Sequence, residues 1–205
     1  MVAHNPAPPS HLPENYNEVL YWKLSHHKKL LIVLNVVGII LMGLALVAFF
    51  AWAQLWHVTT GGEIHAAQML GTIAMLILTV VLHELTHGLA LRYYGAMPTY
   101  GVLWKEMMFY ATAAGHAFPR NAYVVIALAP LVGLSAIVMV LLALPLPLWL
   151  VLTVILCAAF NVGSAIGDMW LVRVALSYSP SAYIVDEKDG LRVFMPLAEL
   201  SAGDV

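Results

Sequence analysis

Four long apolar segments alternate with short polar segments along this chain of 205 residues. The apolar segments lie at about 30–53, 69–94, 121–143 and 148–172. Each is at least as long as the roughly 20 residues that an α-helix needs to cross a bilayer. The pattern therefore predicts four transmembrane helices within a membrane core of residues 30–177.

The polar and mixed segments before the first span divide into two parts. Residues 1–18 are polar and rich in proline, which predicts a disordered tail. Residues 19–29 mix aromatic and basic side chains, which is typical of a short helix lying at the level of the lipid headgroups. The chain does not start with the short basic segment and apolar run of a secretory signal peptide.

Two further segments contain β-strand patterns. In the loop 96–120, residues 99–104 and 108–112 are rich in aromatic and β-branched side chains and read as short strands. The tail 178–205 contains two similar segments around the dipeptide Asp189-Gly190, which predicts a C-terminal hairpin. We therefore expect an all-α membrane protein with four transmembrane helices, a short β-like loop and a C-terminal hairpin.

Composition and charge support a membrane protein and indicate its orientation. Hydrophobic residues make up 62% of the chain and charged residues 10%, against about 45–50% and 25% in soluble domains. If the four spans are correct, all nine Lys and Arg residues fall on one side of the bilayer. By the positive-inside rule, both termini and the loop 96–120 should be cytoplasmic, with the protein in the cell membrane. The basic residues form no cluster large enough to indicate nucleic acid as a partner.

The second span contains a group of polar residues with metal-binding spacing. His83 and His87 are four residues apart, so both imidazoles project from one face of a helix and can bind one Zn²⁺. Glu84 projects about 100° round the helix, where its carboxylate can act as general base towards a water molecule. Ionisable side chains are expensive inside hydrocarbon, which favours a functional site over a buried polar cluster that cross-links helices. The motif predicts a zinc-dependent hydrolase.

A catalytic zinc usually has three protein ligands and one open position. Asp168, late in the fourth span, is the strongest candidate for the third ligand, because it lies near the same end of the membrane as His83 and His87. The alternative for Asp168 is an interfacial carboxylate paired with Arg173. His116 is a weaker candidate, either as a ligand or as a hydrogen-bond donor to the transition state.

Asn161 precedes Asp168 by seven residues and therefore lies on the same helical face. Its amide is suited either to bind a substrate backbone or to orient a metal ligand. A helix-packing hydrogen bond is the competing interpretation. The small residues Gly163, Ser164, Ala165 and Gly167 permit close helix approach, for which packing is a sufficient explanation.

Three segments together resemble a known family. His83-Glu-Leu-Thr-His-Gly88, Ala129-Pro130 and the segment from Asn161 to Asp168 are similar to the small four-span membrane proteins catalogued as putative zincin peptidases. Those proteins in turn resemble the site-2 protease clan of intramembrane metalloproteases. The resemblance covers about residues 70–195.

The resemblance implies roles for particular residues. It implies that His83, His87 and Asp168 bind zinc and that Glu84 is the general base. Site-2 proteases are thought to hold an unwound substrate as an added strand, and an extended edge in the loop 96–120 is suited to do the same; a structural re-entrant or interfacial loop is the competing interpretation. The sequence departs from the site-2 pattern after Asn161, where Val-Gly-Ser replaces proline, and after Asp168, where methionine replaces glycine.

These patterns predict hydrolysis of peptide bonds in a membrane or membrane-proximal protein substrate. A zinc-binding membrane protein that acts on a partner without cleaving it is one alternative. A metal-ion transporter is another, but a transit path needs several polar positions along the spans, and the outer halves of these spans contain few.

Overall fold

The computed structural model describes residues 9–56, 65–104, 108–188 and 190–202. Helices occupy most of this part of the chain. They are α1 (Lys28–Gln54), α2 (Ala66–Tyr93), α3 (Arg120–Leu141), α4 (Leu148–Ser164), α5 (Ile166–Leu176) and α6 (Leu197–Ala202). The strands are β1 (Tyr16–Lys23), β2 (Thr99–Leu103), β3 (Met108–Thr112), β4 (Ala117–Pro119), β5 (Tyr183–Glu187) and β6 (Gly190–Pro196).

Four helical segments among the described residues are long and apolar enough to cross a membrane. They are Lys28–Gln54, Ala66–Tyr93, Arg120–Leu141 and the combined segment Leu148–Leu176. These bounds agree with the four predicted spans to within four residues at each end. The predicted fourth span is broken at Ala165, where the Ala165 amide bonds the Asn161 carbonyl at 3.1 Å and α5 begins with the next residue.

The described chain divides into two compact units. The helical unit comprises Lys29–Thr86 and Leu128–Met169, and the sheet unit comprises Met1–Lys28, His87–Ala127 and Trp170–Val205. The boundaries fall inside α1, α2, α3 and α5.

Close packing between helices characterises the helical unit. A core cluster of small and aliphatic side chains joins α1, α4 and the end of α3: Ala53, Leu142, Val151, Val154 and Ile155. Gly38 of α1 meets Gly163 of α4 so closely that a Cβ at either position would lie within 3 Å of the other's carbonyl oxygen. For Gly163, therefore, the packing role predicted for the small residues of this segment is confirmed.

An antiparallel four-stranded sheet in the order β1-β6-β5-β4 forms the centre of the sheet unit. Its β1 and β6 are joined by an ion pair in which Arg192 Nε donates to Glu18 Oε2 at 2.8 Å. Strands β2 and β3 form a separate two-stranded sheet. Thr112, the last residue of β3, donates its hydroxyl to the Asp186 carbonyl of β5 at 3.3 Å, which links the two sheets.

The strands confirm two predictions and correct two others. The β-like loop and the C-terminal hairpin are present as β2–β3 and β5–β6, although Asp189 of the predicted turn lies outside the described residues. The expectation of an all-α protein is wrong for the sheet unit. Residues 16–23 form a strand, which corrects both the disordered tail at 16–18 and the interfacial helix over 19–29. The cause is pairing with β6, which supplies backbone partners more than 160 residues away along the chain.

Candidate metal centre

Helix α2 presents the two motif histidines from an uninterrupted run of 28 residues. Its three threonine hydroxyls each bond the carbonyl four residues earlier: Thr72 to Gln68, Thr79 to Met75 and Thr86 to Leu82. This back-bonding satisfies the hydroxyls inside an apolar helix. His83 and His87 lie one turn apart and are each only 8% exposed, whereas Glu84 between them is half-buried.

Asp168, in the first turn of α5, lies against His83. The Asp168 Oδ2 atom is 3.2 Å from His83 Nε2. One potential ligand atom each from His83, His87 and Asp168 lie within 4.8 Å of one another. Within the part of the chain that the structure describes, this is the one group of three or more His, Cys, Asp or Glu side chains close enough to hold a metal ion.

The amide of Asn161 provides an acceptor for Nδ1 of the His83 ring. Asn161 Nδ2 donates to the Pro130 carbonyl at 3.2 Å, which turns Oδ1 towards His83 Nδ1, 2.9 Å away. Because Oδ1 can only accept, Nδ1 carries a ring proton, and the other ring nitrogen, Nε2, faces the Asp168 carboxylate. Asn161 thus contacts a candidate ligand, and its hydrogen bond to the Pro130 carbonyl also joins α4 to α3.

A main-chain carbonyl does the same for His87. His87 Nδ1 lies 3.0 Å from the Ile126 carbonyl oxygen of α3. A carbonyl accepts only, so Nδ1 again carries a proton, and Nε2 is the ring nitrogen that would bind a metal. Metal-binding histidines in proteins almost always have their second ring nitrogen fixed in this way by an acceptor.

The donor set suits zinc. Two neutral imidazoles and one carboxylate are a common set for a catalytic Zn²⁺, and three protein ligands leave a position for water or substrate. The two Nδ1–H hydrogen bonds prepare both imidazoles for binding through Nε2. The residues present therefore fit a zinc ion held by His83, His87 and Asp168.

His116, the alternative candidate, lies outside this group of three. Its ring stacks on His11 with 4.2 Å between centroids and also contacts Phe118. Burial, together with the neighbouring His11, lowers the pKa of His116 below its usual value. Its contacts are those of a histidine packed beside the four-stranded sheet.

Two features of the site were not found from the sequence. The Ile126 carbonyl escaped notice because every residue has a carbonyl, so side-chain patterns do not single one out. The second is Gly88, directly after His87, whose bare Cα is covered by the phenol of Tyr100 from β2. Any larger side chain at position 88 would overlap the Tyr100 hydroxyl, and an aromatic residue facing a helix glycine carries no sequence signal that identifies the pair.

Comparison with known proteins gives one match. Residues 76–183 match the model of a protein family whose description is "Putative zincin peptidase". The matched range contains His83, Glu84 and His87 on α2, and also Asn161 and Asp168. Searches of curated proteins and of solved structures gave no match.

Proposed function

Taking as a premise that this chain belongs to the putative zincin peptidase family, whose model covers more than half of it, we propose that it is a membrane metalloprotease. It hydrolyses a peptide bond in a membrane or membrane-proximal protein with zinc held by His83, His87 and Asp168. The observation that carries the proposal is the convergence of the three ligand atoms within 4.8 Å, with both imidazoles oriented by acceptors on their Nδ1 atoms.

The protein side chains divide the chemistry between them. When bound, zinc would supply a Lewis acid that acidifies a water molecule and polarises the scissile carbonyl. Glu84 accepts the proton of the attacking water while the oxygen of that water bonds to the carbonyl carbon. Glu84 then delivers the proton to the leaving nitrogen as the C–N bond breaks. The products are one carboxylate and one amine, and no other reactant is required.

The two-stranded sheet β2–β3 supports a place for substrate. Tyr100 of β2 packs on Gly88, the residue after His87, which places β2 beside the helix that bears the proposed ligand. An extended segment could add to such a sheet through main-chain hydrogen bonds. We therefore propose that a locally unwound membrane protein is the substrate.

Sheet topology supports the proposed orientation. Strand β1 precedes the first span, β4 lies between the second and third, and β5 and β6 follow the fourth, yet all four strands hydrogen-bond in one sheet. Strands of one sheet must be on one side of a bilayer. This requirement agrees with the charge pattern, so we propose that both termini and the 96–120 loop are cytoplasmic in the cell membrane.

Hydrolysis is favoured over metal transport by the distribution of polar groups. The buried polar residues that the structure describes are His83, His87, Thr112, Thr153, Asn161 and Arg192. Of those in the spans, only Thr153 lies outside the metal centre, and its hydroxyl bonds the Trp149 carbonyl and the Thr72 hydroxyl. A chain of such positions, which a transit path requires, is not seen among them.

Zinc analysis and comparative proteomics test the proposal together. We expect about one zinc per purified wild-type chain, retained in Glu84→Gln and lost when His83 and His87 are both alanine. Membranes containing wild type should show cleaved proteins that are intact with Glu84→Gln, while the distant Glu199→Gln serves as the matched control. Full cleavage by Glu84→Gln, or zinc retained by the double histidine variant, would overturn the proposal.

A further inference from the structure

A proline interrupts the hydrogen-bond pattern of α3 next to the metal centre. Pro130 lies inside α3 and has no N–H. In a regular helix the N–H of residue 130 would bond the carbonyl of residue 126. Ile126 is only 4% exposed, so its carbonyl needs another donor.

The replacement donor is a candidate zinc ligand. His87 Nδ1 lies 3.0 Å from the Ile126 carbonyl, which has no N–H of residue 130 to accept from. The ring proton that satisfies this carbonyl is the one that leaves Nε2 unprotonated. The absence of a donor at Pro130 therefore favours the metal-binding tautomer of His87.

The carbonyl of the same proline acts on the other histidine. Pro130 O accepts from Asn161 Nδ2 at 3.2 Å, and the opposite end of that amide faces His83 Nδ1 at 2.9 Å. The Ile126 and Pro130 carbonyls lie one helical turn apart, because the two residues are four positions apart on α3. His83 and His87 have the same spacing on α2. Pro130 thus acts on both imidazoles. Its missing N–H leaves the Ile126 carbonyl to His87, and its own carbonyl orients the Asn161 amide towards His83.

We propose that Pro130 is a positioning residue that holds a proton on Nδ1 of both zinc-binding imidazoles and so directs Nε2 of each ring to the metal. It does so by releasing the Ile126 carbonyl to His87 and by orienting the Asn161 amide towards His83. This inference rests on the zinc site of the proposed function and adds to it a preorganising element on α3. Outer groups of this kind typically change metal affinity or activity by about 10- to 100-fold when removed.

The test combines zinc affinity with tautomer measurement on the full chain in detergent micelles. In Pro130→Ala a new N–H competes for the Ile126 carbonyl, so zinc affinity should fall by roughly 10- to 100-fold. In metal-free protein labelled with ¹⁵N in histidine, the His87 signal should change from the Nδ1–H form to a mixture of tautomers. Alanine favours helix formation, so this variant should fold.

Two controls separate the freed carbonyl from a general effect of proline. Pro145→Ala alters a proline in the turn after α3 and should leave both readouts unchanged. The double change Ala129→Pro with Pro130→Ala keeps one helix proline but frees the carbonyl of residue 125, which faces a different direction. It should lose zinc affinity as Pro130→Ala does.

The outcomes distinguish this inference from the proposed function. If Pro130→Ala keeps wild-type zinc affinity and wild-type histidine tautomers, the positioning role is wrong, whereas the zinc site stands. If the shifted-proline variant retains wild-type zinc affinity, helix shape rather than the carbonyl is responsible, and the inference is again wrong. If wild-type protein binds no zinc through His83 and His87, the proposed function itself fails.

Discussion

His83 Nε2 and Asp168 Oδ2 lie 3.2 Å apart, although 85 residues separate them in the chain. The contact joins α2 to the first turn of α5, which begins just after the break at Ala165. Folding thus gives the histidine pair of α2 a carboxylate neighbour from a helix far away in the sequence.

Removing this carboxylate should remove most of the zinc affinity. For Asp168→Ala we expect a loss larger than the roughly 10- to 100-fold that is typical of an outer partner, because a charged ligand itself is lost. Isothermal titration with zinc, or competition with a chelator, measures it. Asp186→Asn, which alters a carboxylate of the sheet unit bonded by Tyr123, is the control. Unchanged zinc affinity in Asp168→Ala would remove Asp168 from the ligand set.

Gly88→Ala should destabilise the protein by less than the roughly 1–3 kcal/mol of core overpacking, because Tyr100 is 48% exposed and its side chain can move aside. The new methyl group would overlap the Tyr100 hydroxyl, so β2 or the phenol ring must move. Thermal unfolding in detergent measures the effect, and Tyr100→Ala in the same chain should remove most of it. Gly71→Ala is a matched control in the same helix, since its methyl group would meet only Trp149, at 3.9 Å. If Gly88→Ala loses as much stability in the Tyr100→Ala background as in wild type, the packing explanation is contradicted.

Glu18→Ala should loosen the N-terminal strand. Arg192 is 4% exposed and stacks its guanidinium over Phe194 at 5.0 Å, so removal of its carboxylate partner leaves a buried cation. An unsatisfied buried partner typically costs about 1–3 kcal/mol, and the partial exposure of Glu18 places this case towards the lower end. Hydrogen exchange should accelerate in residues 16–23, with the exposed Glu14→Ala as the control. Unchanged exchange would show that backbone pairing alone holds β1.

The His11–His116 stack predicts a dependence of stability on pH. Burial and then the neighbouring His11 lower the pKa of His116 below the usual histidine value of 6.5. Above that value His116 is neutral in both states and contributes nothing to the pH dependence. As pH falls below it, the unfolded chain takes up the proton first, so the folded state loses stability.

His116→Phe should flatten this acid-side loss of stability while preserving a ring to stack on His11. Unfolding midpoints measured from pH 7.5 to about 5 provide the comparison. His27→Gln controls for a change of histidine content, because His27 is exposed and is not the residue that stacks on His11. If the slope of the His116→Phe curve equals that of wild type, another group causes it.

Local features of the sequence were sufficient for part of this structure. The helix bounds followed from the apolar runs, and the His83–His87 pair followed from the helical repeat, which needs no knowledge of the rest of the chain. Asp168 could be singled out because a carboxylate within an apolar run is rare. In each case the signal and the structure lie within one segment.

Other features depended on partners remote in the chain. Glu18 and Arg192 are 174 residues apart, so nothing near residue 18 indicates a strand rather than an interfacial helix. The family resemblance included Pro130, but its effect on the Ile126 carbonyl becomes visible only when His87 is seen beside that carbonyl. Such relationships are made by packing, which the spacing of side-chain types does not encode.

The order of strands in the larger sheet also determines when its strands can pair during synthesis. Strand β1 leaves the ribosome first among the described strands, whereas its partner β6 is made after the four helical segments that are long and apolar enough to cross a membrane. At about 5–20 residues per second, the interval between Lys23 and Gly190 is roughly 10–30 s. During that time β1 has no β6 to pair with, while His83, His87 and Asp168 have all been made. The sheet thus closes last, joining the earliest and latest strands of the nascent chain.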